Sequence, residues 1–198
     1  MRATAVDRKA QIILEATRLF GRDGYEKVTI KQLADSCGIT EPAIYRHFES
    51  KEAIYDTVLL SLRTRTDATK LFNELEKIDD IEILLRGLAK YIIEYFVAHQ
   101  DVHRLLLYST LRDQARGRQV FDVIRGSYVR FLTTQLDRLH ERGLIIKKNN
   151  EVTARCFIGM VFDCALNVTL WKGMLGKNYL PDDVIANNVP IYARGLKT

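Results

Sequence analysis

The chain has 198 residues, 47% apolar and 28% charged, which supports a packed core and excludes a chain too polar to fold. Three prolines and eleven glycines, set against abundant Leu, Ala, Arg and Glu, favour helix and exclude a strand-and-turn architecture, so the expected fold class is all-α. The net charge of +5 suits a polyanionic partner, yet residues 1–51 hold nine Lys or Arg against seven Asp or Glu, so a nucleic-acid surface must be assembled from placed residues rather than bulk charge.

The N-terminal run MRATAVDRKAQIILEATRLF is broken by charges every few residues, unlike a signal peptide. Ile12, Ala16, Leu19 and Phe20 recur there at helical spacing and predict an amphipathic helix over about residues 7–23, ended by Gly24. Thr29 opens a second helix, with Gln32 three residues on completing a capping box, and Gly38 stops it. Thr40 is the expected cap of a third helix over roughly residues 41–48, where Pro42 in the first turn costs no hydrogen bond. Ser50 caps a fourth helix whose Ala53, Ile54, Val58 and Leu62 pack back on the first three, and whose far end the sequence does not mark. Beyond the turn-like KIDD at 77–80, helices are predicted near 81–98, 101–114, 117–142, 150–173 and 182–196, about nine in all.

The second and third helices have the spacing of a helix-turn-helix. Ala34 is small enough for the helices to cross closely, and Gly38 can take the positive φ that the turn needs. At about 100° per residue, the third helix turns Ile44 and Phe48 inward, Pro42 and Arg46 outward, and Ala43 and Tyr45 to the flanks. Arg46 can fork onto a guanine edge, and Pro42 and Ala43 can touch a thymine methyl. Thr29, Thr40, Tyr45, His47 and Lys51 suit phosphates. Glu41 either accepts from a cytosine amino group or favours the helix N-terminus electrostatically.

The order GYEKVTIKQLADSCGITEPAIYRHFESKEAIYDTVL resembles the N-terminal DNA-binding region of TetR-type transcriptional repressors, in the Thr opening helix two, the Ala-to-Gly spacing, Tyr-x-His-Phe and Ser-Lys-Glu. The likeness covers about residues 8–60 in sequence and only the helix pattern after about residue 80. It implies a helix-turn-helix DNA-binding domain over 1–50 and a helical ligand-binding and dimerisation domain over 51–198, with the fourth helix as connector and lever. It also implies a homodimer on a pseudo-palindromic double-stranded DNA operator, released by a small hydrophobic or aromatic effector, with no cofactor.

Tyr91, Tyr95, Tyr108 and Tyr128 are candidate walls for that effector or else plain core. The stretch CFIGMVFDCALNVTLW is apolar all round and expects cover on two sides. One side carries Cys156, Met160, Asp163, Cys164, Asn167 and Trp171, the other Ile158, Phe162, Ala165 and Thr169. The resemblance implies that one side lines a cavity and the other, with the last helix, meets the partner subunit. Met160, Asp163, Asn167 and Trp171 are assigned to the ligand and Ile158, Phe162, Ala165 and Thr169 to the dimer. Asp163 either anchors the ligand or forms a buried pair with a neighbouring Arg or Lys.

Three cysteines without C-x-x-C spacing, Cys37, Cys156 and Cys164, favour neither a disulfide framework nor zinc. His99 and His103 are four apart, but Asp101 reads as an N-cap between them, so no metal is expected. The most apolar run, CFIGMVF, is shorter than a membrane span, so the expected setting is cytoplasmic with no membrane partner. No string reads as a catalytic motif, so an enzyme is not expected. The competing readings are the same fold controlled by a protein partner instead of a small molecule, and, more remotely, a helical enzyme.

Overall fold

A computed structural model describes residues 5–65, 68–112, 114–174 and 180–197. Among them are ten helices and no strand: α1 Ala5–Asp23, α2 Ile30–Cys37, α3 Glu41–Tyr45, α4 Lys51–Arg65, α5 Thr69–Leu75, α6 Ile81–Ala98, α7 Gln100–Arg112, α8 Gln114–Glu141, α9 Asn150–Val168 and α10 Pro181–Leu196. The chain divides into two compact units, one holding the described residues of 1–66 and 101–121, the other those of 67–100 and 122–198.

In the first unit the helical stripe of α1 is buried as its spacing requires: Ile12, Ala16 and Phe20 are fully buried and Leu19 nearly so. It packs on α2 and α4, and α2 in turn on α3; Leu33 and Ala34 of α2, Ile44 of α3, Phe48 just after it, and Ile54, Tyr55, Val58 and Leu62 of α4 are all buried. Phe20 stands edge-on to Tyr55 at 5.4 Å and tilted to Tyr25 at 5.6 Å, which ties α1, the loop after it and α4 into one aromatic cluster. A side chain at Gly21 would place its Cβ 2.7 Å from the Asp101 carbonyl oxygen, so this glycine sets how closely α7 approaches α1.

The second unit is organised on α6, whose Ile81, Leu84, Leu85, Leu88, Ala89, Ile92, Ile93 and Phe96 are buried against α5, α9 and α10. Asp80 caps α6 by accepting from the backbone N–H groups of Glu82 and Ile83 at 2.8 and 3.1 Å. Asp79 pairs with Arg138 at 2.8 Å and with Arg142, and these guanidinium groups hold its carboxyl below the usual range.

Three local expectations are corrected. The third helix ends at Tyr45 rather than near residue 48, because the His47 N–H bonds to the Ile44 carbonyl at 2.9 Å in a tighter turn that carries Phe48 inward and leads into the Ser50 cap. The seven-residue α5 was not anticipated, and makes the count ten rather than about nine. Asp101 is not an N-cap: α7 already begins at Gln100, with Asp101 in its first turn. His99 closes α6 and His103 is buried in α7, where desolvation lowers its pKa to about 4 and keeps it neutral. No group of three metal-ligating side chains occurs among the described residues.

Candidate nucleic-acid interface

The short helices of the first unit are held at their ends by side chains acting on backbone. The Gln32 N–H donates to Thr29 Oγ1 at 3.1 Å, and the Thr29 N–H donates to Gln32 Oε1 at 2.8 Å, which completes the capping box. Gly38 turns left-handed at φ 65°, letting the Ile39 N–H reach back to the Ala34 carbonyl at 3.0 Å. Thr40 begins α3 with extended backbone and its carbonyl accepts from Ala43 and Ile44 at 2.9 and 3.2 Å, but its hydroxyl makes no cap bond. The Ala53 N–H donates to Ser50 Oγ at 3.1 Å at the start of α4. Replacing Thr29 by alanine is expected to cost about 1 kcal/mol in urea-unfolding free energy, the usual loss of an N-cap, with α2 helicity weakened.

Ile44 is wholly buried and Phe48 is 5% exposed, and with that side pinned the opposite side of α3 faces solvent. Glu41, Pro42, Tyr45 and Arg46 are exposed and Ala43 half-buried. Around them Thr29 and Thr40 are exposed, and His47 and Lys51 half-buried. Lys51 Nζ lies 4.2 Å from the Tyr25 ring centroid and reaches the Glu26 carbonyl at 3.4 Å, so its ammonium is positioned beside the start of α4. All nine residues singled out in the sequence are thus exposed or half-buried.

One residue of this region escaped the sequence reading. Lys9, Arg46 and His47 border a groove of about 590 Å³ whose floor includes Ile13, Thr57 and Ser61. Lys9 Nζ sits 5.2 Å from the centroid of Phe48, the anchor of the reading helix. Its place on the outer face of α1 was visible, but only the fold brings α1 beside Arg46.

The second unit sorts the remaining candidates. Tyr91 and Tyr95 are half-buried with ring centroids 6.4 Å apart, and Tyr128 is wholly buried. Tyr108 belongs to the first unit and is 42% exposed. On α9, Ile158, Phe162 and Ala165 are buried within the chain, with Phe162 against Phe96 at 4.9 Å, so they are not available to a partner subunit. Thr169 is half-buried and its hydroxyl donates to the Ala165 carbonyl at 2.6 Å. The open side of α9 instead carries Cys156 and Asp163, with Met160 and Asn167 half-buried, and Trp171 follows in the turn beyond it. Asp163 is no buried ion pair: it is exposed and accepts from Asn167 Nδ2 at 2.8 Å. No helix among the described residues is long and apolar enough to cross a membrane.

A capped helix, a left-handed glycine turn and a second short helix pinned by Ile44 and Phe48 make the first unit a helix-turn-helix head. Residues 12–58 match the pattern of the bacterial regulatory proteins of the tetR family. A 48-residue stretch is 44% identical to the HTH-type transcriptional regulator YerO of Bacillus subtilis, and takes in 24% of this chain and 17% of that relative. A crystal structure from Mesorhizobium loti assigned to the TetR family superposes over 100% of both chains, with TM-score 0.78 and 19% identity. AibR, solved with isovaleryl coenzyme A and operator DNA, matches over 93% of this chain and 97% of its own, with TM-score 0.65 and 20% identity. Residues 12–58 therefore form a DNA-binding head of the tetR family, and the chain shares the fold of TetR-family regulators.

Proposed function

We propose that the chain is a repressor that binds a pseudo-palindromic operator as a homodimer and leaves it when a small apolar molecule occupies its second unit. The observation that carries the DNA-reading part is the division of α3: Ile44 and Phe48 closed inside, Pro42 and Arg46 open outside. A five-residue helix held that way presents a narrow edge to a major groove, where Arg46 forks onto a guanine and Pro42 and Ala43 meet a thymine methyl. Thr29, Thr40, Tyr45, His47 and Lys51 take phosphates and set the register, and Glu41 fits a cytosine amino group.

Lys9 extends the phosphate contacts beyond α3. Lys9→Ala should weaken binding to specific and non-specific DNA alike and flatten the plot of log affinity against log salt by about 0.9, as loss of one phosphate contact does. Fluorescence anisotropy across a salt series measures it.

Dimerisation is assigned to the outward sides of α9 and α10, where Val152 and Ile191 are 52% and 62% exposed. These helices already pack on each other, with Phe157 edge-on to Tyr192 at 5.1 Å, so a partner would meet a two-helix surface rather than one loose rod. Two heads on such a dimer must match half-sites roughly 34–36 Å apart or a multiple of that, so an effector that alters their separation releases the DNA. AibR, similar in fold and solved with isovaleryl coenzyme A and operator DNA, supports an effector-responsive reading. The test is a gel shift on the DNA upstream of the chain's own gene: an inverted repeat should be retarded, and a small-molecule extract should reverse the shift. Retardation that no extract reverses would remove the effector from the account.

A further inference from the structure

We propose that Arg125 and Tyr128 form the headgroup end of a site for a carboxylate carried on an apolar body. The inference rests on the effector-responsive reading above and names the chemistry of the effector. The two residues stand three apart on α8 and so share a helix face. Both flank the same ring: the guanidinium carbon of Arg125 lies 5.4 Å from the Phe162 centroid, and the Tyr128 ring lies 6.4 Å from it.

Three features make this a built arrangement rather than a chance cation. Tyr128 is wholly buried, and its hydroxyl has no hydrogen-bond partner among the described residues. Burial raises its pKa, so the phenol stays protonated and able to donate. Gly159 on α9 omits a side chain where the guanidinium lies, since a Cβ there would come within 3.0 Å of Arg125 Nη2. Arg155, one turn earlier on α9, adds positive charge close enough to oppose the protonation of Arg125, though burial opposes it more. Arg155 is itself paired with Glu151 at 2.9 Å, so Arg125 is the cation assigned to an entering anion.

The donor set fits a carboxylate. A planar guanidinium fork takes two oxygens side by side, and a phenol O–H adds one further bond to the same group. Phe72, edge-on to Tyr128 at 5.9 Å and stacked on Phe131 at 4.2 Å, together with Phe96 and Phe162, supplies the apolar company that a hydrocarbon or aryl body requires.

The test titrates the full chain with octanoate and phenylbutyrate, and with octanol and methyl octanoate as neutral counterparts, by calorimetry and thermal shift. The carboxylates should bind and raise the melting temperature, and the neutral compounds should bind about tenfold or more weakly. Arg125→Gln should lose the preference for the charged form. Tyr128→Phe should weaken carboxylate binding severalfold while leaving the melting temperature of the free protein unchanged, because its hydroxyl bonds no group among the described residues. Gly159→Ala should displace the guanidinium tip and weaken binding in the same direction. Equal binding of acid and alcohol, no binding by either acid, or an unaltered preference in Arg125→Gln would overturn the proposal. So would Arg125→Gln dissociating the dimer with acid binding intact, which would give the guanidinium to a second copy. Release of the operator by a neutral compound from an extract would end this proposal and leave the effector-responsive reading standing.

Discussion

Phe20→Ala is expected to destabilise the first unit by about 3–5 kcal/mol, the usual loss when a buried phenylalanine is truncated. Phe20 is wholly buried and touches Tyr55 and Tyr25, whose own rings are 4.8 Å apart. Truncation opens a void where α1, the loop after Gly24 and α4 converge, and the two tyrosines cannot collapse into it without withdrawing from each other. Each aromatic pair adds about 0.5–1.5 kcal/mol beyond its burial, so the loss should lie toward the upper end. The seat of Lys51 over Tyr25 would shift as well, so DNA affinity should fall along with stability. Urea unfolding at unchanged slope is the measurement. Leu14→Ala, at a side chain 58% exposed on the same helix, is the control and should stay within about 0.5 kcal/mol of the parent.

Arg46→Ala should cost about 1–3 kcal/mol on the specific operator, roughly 5- to 150-fold in affinity, and the discrimination lost should map to one base pair in each half-site. Arg46 is exposed and closes α3 without holding it: among the described residues its hydrogen bonds run through its backbone N–H to the carbonyls of Pro42 and Ile44, so stability should not change. Arg46→Lys separates the two ways an arginine can help. It keeps the charge and so the non-specific affinity, but a lysine cannot present the planar fork, and the preference for guanine should still fall. Anisotropy with operators altered one base pair at a time reads the difference. If both variants discriminate among bases as the parent does, Arg46 contacts only phosphate or solvent.

What was legible in the sequence follows from where the determining interactions lie. Thr29, Gln32, Gly38 and Ser50 act on backbone within a few residues of themselves, so the limits of α2 and the start of α4 could be read from spacing alone. The stripe Ile12, Ala16, Leu19, Phe20 was equally plain because a helix with one apolar side has one way to turn. By contrast, α5 has no such local signal: Ala68 precedes it without a side-chain cap, and its Phe72 is stacked on Phe131, more than fifty residues away. The orientation of α9 failed for a related reason. A helix apolar on every side does not announce which side turns inward, and the ring of Phe96 on α6 decides it. Lys9 was overlooked because the groove it borders joins α1 to Arg46 and His47 only after folding.

The central claim is that the open edge of α3 reads a duplex. The most direct measurement is a footprint of the purified chain on the DNA upstream of its own gene, alongside Arg46→Ala at the same concentration. The account predicts two protected half-sites in inverted orientation, separated by one helical turn or a multiple of it, with the protection of both lost in the variant. Protection that Arg46→Ala reproduces unchanged, or uniform coverage without half-sites, would contradict it.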